Sequence, residues 1–119
     1  MRSYKKDGSG TVPLFQYSTK KKSNISIAAN NVNSGLTCDI TLPNHTPVGI
    51  VGMRILNSSS SGANAPYCNL YIYMIVNNSS ESHVTFSIKN SASSAAKVDV
   101  EFKIFYIAKE ALNSQIEWT

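Results

Sequence analysis

Apolar residues recur at every second position through most of this chain. In AKVDVEFKIFYIA, Val98, Val100, Phe102 and Ile104 alternate with Asp99, Glu101 and Lys103, the period of a strand with one dry face and one wet face. Beyond Ile104 the rule fails. Phe105 and Ile107 fall on the face that the acids had marked as wet, while Tyr106 continues the dry one. The end of this strand is therefore two-sided, and its second face needs a cover.

The same reading applies upstream. SNISIA puts Ile25 and Ile27 on one face, GLTCDITL alternates cleanly, VGIVGMRIL is nearly continuous, and CNLYIYMIV and HVTFSIK follow. Between them lie NNVNSG, PNHTP, NSSSSGANAP, NNSSES and NSASSA, all rich in turn formers. Six to eight short strands with no convincing helix between them predict an all-β fold, an antiparallel β-sandwich of jelly-roll-like type. Gly49 and Gly52 lack the third glycine, the following helix and the Lys-Ser/Thr pair of a phosphate loop, so they mark a bulge or a close backbone approach within a strand.

The 119 residues suffice for one domain with its own core. We divide them into a basic, flexible N-terminal arm over 1–22, a sandwich over 23–109, and a C-terminal tail or short helix over 110–119. Pro13 permits an edge strand at 11–18 within the arm. The formal charge of +4 belongs to this arm: from Ser23 onward five basic residues face six acidic ones. With no basic stripe interleaved with aromatics, nucleic acid is not an expected partner. No apolar run reaches membrane-spanning length, and MRSYKKDGSG lacks the apolar core of a signal peptide, which points to synthesis in a cytoplasm without membrane insertion. Its Asn-x-Ser/Thr triplets are what chance supplies in a chain of which roughly a third is Ser, Thr and Asn.

Catalytic chemistry finds little support. No Gly-x-Ser-x-Gly elbow exists, and the seven acids are scattered, with Asp99 and Glu101 reading as a solvated strand face. His45 lies in a proline-flanked loop and His83 at a strand start. Cys38, His45, Cys68 and His83 match no compact metal-ligand spacing, so neither metal nor cofactor is expected, and the chain reads as a non-enzyme. Cys38 and Cys68 are each in phase with apolar neighbours, as buried free thiols or as a bridged pair.

Binding surfaces are better represented. If Leu70, Ile72 and Met74 face the core, then Tyr71 and Tyr73 face away from it, beside the Phe105 and Ile107 of the last strand. These four are the candidate oligomer interface. The stretches PVGIVGMRILNSSSSGANAPYCNLYIYMIV and VTFSIKNSASSAAKVDVEFKIFYIAK resemble the C-terminal head modules of tail-fibre and tail-tip proteins in phages and prophages of Gram-positive gut bacteria. The likeness runs from Pro47 to Lys109 and more loosely from Ser23. It rests on a P-x-GIVG strand, a Ser/Gly/Asn-rich loop, a Tyr-rich strand and a last strand ending in YI.

The resemblance implies a homotrimeric receptor-binding head in a virion tail, with other tail proteins and a host-surface polysaccharide or protein as partners. A neighbouring subunit would then cover Phe105 and Ile107. It also implies a receptor surface on the loop from Asn57 to Tyr67 and the adjacent turns around Asn77 and Asn90, with Asn64, Tyr67, Asn77 and Asn90 as its binding groups. A structural virion or tail-assembly protein, and a monomeric carbohydrate-binding or adhesin module, are the alternative expectations.

Overall fold

The computed structural model describes residues 3–6, 10–78 and 80–110. The proposed tail over 110–119 thus lies almost wholly outside the described residues. Ser3–Lys6 (β1) and Gly10–Pro13 (β2) form an antiparallel hairpin. Six further strands follow: Phe15–Ile27 (β3), Asn31–Asp39 (β4), His45–Asn57 (β5), Cys68–Asn77 (β6), Ser82–Asn90 (β7) and Ala96–Ala108 (β8). They form two antiparallel three-stranded sheets, ordered β3-β8-β5 and β4-β7-β6. The fold is all-β, a small sandwich.

The two central strands, β7 and β8, supply most of the core. Val98, Val100, Phe102, Ile104 and Tyr106 of β8 meet Val84, Phe86 and Ile88 of β7, all of them buried, and Phe86 packs edge-on to Phe102 at 5.2 Å. Such an edge-to-face pair adds to the burial of its area. Tyr106 reaches the end of the core and donates its hydroxyl to the Ile40 carbonyl at 2.6 Å. The expected alternation in β8 is therefore present, with every second residue turned inward.

Pairing within the sandwich begins at Phe15, upstream of the expected domain start. Lys20, Lys21 and Lys22 pair with Phe102, Glu101 and Val100, so they belong to an edge strand. Opposite residues of a ladder share a face, which turns Lys20 and Lys22 toward the mouth of the sandwich. Inward charges are a known guard against stray strand addition.

Asp99 departs from the solvated-face reading. It is buried because β3 bulges between Lys22 and Ile25, and its carboxylate accepts the Asn24 N–H at 2.9 Å, with the Lys21 ammonium 3.8 Å away. A displaced backbone N–H needs an acceptor, and Asp99 supplies it. Asn24 sits at φ 57°, as do Asn30, Asn44 and Asn64 at similar positive values. Asparagine tolerates that left-handed region better than other side chains. Part of the unusual Asn content therefore serves turns and bulges.

β5 is bulged twice, between Pro47 and Gly49 and between Ile50 and Gly52, as the glycine spacing anticipates. Cys38 and Cys68 are free and buried. They pair with Val84 and Asn90 on opposite sides of β7, about 20 Å apart along it at about 3.3 Å per residue. That separation exceeds what a disulfide spans. Burial pushes both thiols up from their ordinary pKa, so neither is a ready nucleophile.

Candidate functional site

The expected receptor residues do not form one site. Asn64 and Tyr67 precede β6, whereas Asn77 ends it, about 30 Å away for a ten-residue strand. Asn77 donates to the Pro47 carbonyl and accepts from the Ser82 hydroxyl, at the opposite end of the sandwich. Asn90 is fully buried. Its amide donates to the carbonyls of Ile27, Ala28 and Ser94, and its carbonyl accepts the Ala92 N–H at 2.9 Å. Every polar group of that side chain is engaged inside the protein, which removes it from any binding surface.

Asn64 and Tyr67 remain. Asn64 holds φ 63° just before a 3₁₀ turn, Ala65–Tyr67, where Pro66 fits the first turn of a helix. Its amide donates to the Ser94 hydroxyl and the Ala95 carbonyl, each at 2.9 Å. Two loops from different strands are thereby joined. The Tyr67 carbonyl accepts the Ser91 N–H at 3.0 Å on the same seam, while its side chain stays exposed. Beside it opens a cavity of about 470 Å³ lined by Asn30, Asn64, Tyr67 and the Ser91–Ser94 loop. None of these residues is charged. An aromatic ring flanked by amides and hydroxyls can stack on the apolar face of a sugar and bond its hydroxyls.

The loop before this ledge is fixed by packing. The Gly62 N–H donates to the Ser58 carbonyl at 3.0 Å, and a β-carbon on Gly62 would lie 2.2 Å from the Ser58 nitrogen. Asn57 accepts the Ala65 N–H, and the buried Ser58 hydroxyl donates to Asn24. The turn around Asn90 is among the expected places, and it supplies Ser91 to Ser94. Asn30 escapes sequence reasoning because it joins Tyr67 only through the pairing of β4, β6 and β7.

The candidate interface residues fall into two groups. Tyr71 and Tyr73 lie on β6, the free edge of its sheet, but not in the expected phase. A bulge between Leu70 and Ile72 resets the strand, so Tyr73 pairs with the inward Phe86 while Ile72 and Met74 pair with Ser87 and Thr85. Ile72 and Met74 are consequently exposed, a correction to their expected place in the core. Tyr71, Ile72, Tyr73 and Met74 remain 64, 59, 46 and 53% exposed.

Phe105 and Ile107 lie on the outer face of the other sheet, opposite Tyr17 and Phe15 of β3. The rings of Tyr17 and Phe15 are 5.2 and 5.6 Å from Phe105, so β3 covers part of this second face from within the chain. Tyr17 and Phe15 are themselves exposed, as is Val48 in the neighbouring bulge.

His45, expected in a loop, is the buried first residue of β5. Its ring nitrogens each lie 2.9 Å from a carbonyl oxygen, of Pro43 and of Pro13, which anchors the start of β3 to the turn before β5. Among the described residues, no three of His, Cys, Asp and Glu are grouped so as to hold a metal ion. No family model matches the chain, and no significant match is found among curated proteins or solved structures.

Proposed function

We propose that this chain is a non-enzymatic recognition head of a phage or prophage tail fibre, which binds a host-surface polysaccharide as a homotrimer. The observation that carries the reading is the uncharged cavity beside the exposed Tyr67, built from Asn30, Asn64 and the Ser91–Ser94 loop. Its parts are pre-set by hydrogen bonds between loops, so little side-chain order is lost when a ligand binds. The resemblance to tail-fibre heads supplies the biological setting. Several weak sites on one particle yield avidity that no single shallow site provides.

The test is retention of the intact chain on purified wall polysaccharides from a panel of Gram-positive gut bacteria. Binding by the native chain and its loss in Tyr67→Ala, with an unchanged circular dichroism spectrum, supports the reading. Equal binding by the two proteins removes this ledge from the recognition role. Cleavage of the polysaccharide would contradict the non-enzymatic assignment.

A second reading, an assembly protein that meets only other virion subunits, is favoured by the exposed apolar edge of β6. It predicts no retention on any wall polysaccharide.

A further inference from the structure

In the two three-stranded sheets four strands have a free edge, and three of them are guarded. β3 carries Lys20, Lys21 and Lys22 together with a bulge. β4 is bulged between Asn33 and Leu36, with Gly35 at φ 71°, and ends in Asp39. β5 carries Pro47, two bulges and the charged Arg54. These are the devices that keep edges from pairing with other chains. β6 has one bulge but neither charge nor proline across Cys68–Asn77, and its four largest exposed side chains are consecutive.

This edge is also extensive. Met53 of β5 lines a shallow cavity together with Tyr73, and, summed over both sides of the strand, the exposed side chains of this edge present on the order of 600 Å², most of the about 800 Å² a partner buries in a standard interface. A second apolar patch, formed by Phe15, Tyr17, Phe105, Ile107 and Val48, lies on the outer face of the β3-β8-β5 sheet. The two patches are different surfaces, one an edge and one a face. A two-fold contact buries both only where they form one continuous surface; here Phe15 and Tyr17 lie on β3, while β6 packs over β5 on the other side of β8, so a head-to-tail contact is the arrangement that buries both.

We infer that the β6 edge of one copy packs against the Phe15, Tyr17 and Phe105 face of the next, closing a ring of this chain. The inference rests on the homo-oligomeric part of the reading above and is independent of the ligand. The edge and the face point in different directions, so each copy is turned against the last, and a head-to-tail contact of this kind closes a ring where that rotation completes a circle. The uncharged β6 edge meets a patch that is apolar at its centre, with Lys103 set over the Tyr17 ring at its margin. No charge is buried without a partner.

The test uses the full chain and two surface variants, Ile72→Lys on the edge and Tyr17→Glu on the face, with mass measured by light scattering and folding by circular dichroism. The wild type is expected as a closed ring, each variant alone as a monomer, and the two mixed as a one-to-one dimer, since each brings the patch the other lacks. Met74→Lys and Phe15→Glu replace either variant if it misfolds. A monomeric wild type overturns both the inference and the homo-oligomeric reading. An assembled wild type with Tyr17→Glu assembling equally well overturns the inference alone, as does a mixture that stays monomeric.

Discussion

The ring of Tyr17 lies 5.2 Å from that of Phe105 at a tilt of 44°, across the β3–β8 ladder and on the outer side of its sheet. This pair answers the two-sided end of β8 from inside the chain. The apolar face is shared between strands and then only half covered. Replacing Tyr17 by alanine is expected to cost about 0.5–1.5 kcal/mol in urea unfolding, the range of an aromatic pair, and to leave the fold unchanged.

Asn90 governs stability instead of recognition. Asn90→Ala leaves the carbonyls of Ile27, Ala28 and Ser94 and the Ala92 N–H short of a partner, several of them in the interior. A loss of about 2–4 kcal/mol is expected by denaturant unfolding. Asn90→Asp keeps the acceptor but sets a buried carboxyl against three carbonyl oxygens, and should cost at least as much as alanine.

Burial, followed by the nearby Cys38 and Asp39, pushes the Tyr106 hydroxyl up to about 12 from its usual 10. The folded state therefore holds this proton more tightly than the unfolded state. Its contribution is fully present below pH 10 and is lost as pH rises from 10 through about 12. Tyr106→Phe should flatten that alkaline decline. It should also cost about 1–2 kcal/mol at neutral pH, since the Ile40 carbonyl loses its donor.

Gly62 has no room for a side chain, with backbone atoms of Asn57 and Ser58 2.2 to 2.6 Å from the place of a β-carbon. Gly62→Ala is expected to destabilise the protein by about 1–3 kcal/mol and to disturb the Tyr67 ledge. The check is paired: a lower urea midpoint together with weaker polysaccharide retention than the wild type.

The alternation of apolar positions carried the strand content, because burial of one sheet face imposes a period of two wherever pairing is regular. It misled at irregular places. Ile72 and Met74 change face through a bulge that no local pattern marks, and Asp99 is buried because β3 bulges opposite it, a property of another segment. The ledge was legible at Asn64, at Tyr67 and in the turn after Asn90. Its remaining wall, Asn30, and the internal role of Asn90 depend on which strands lie side by side, and that information is spread along the chain.

Strand order also sets a timetable. In each three-stranded sheet the two outer strands are made before the one between them: β3 and β5 wait for β8, and β4 and β6 wait for β7. A nascent chain that has just finished β6 holds the four outer strands of the sandwich and none of the ladders that join them. The final thirteen-residue strand then completes one entire sheet in a single step, so folding is late, cooperative and slow for the length of the chain. Until β8 emerges, the uncharged β6 segment waits without its fold, and that interval is when this protein is most exposed to aggregation.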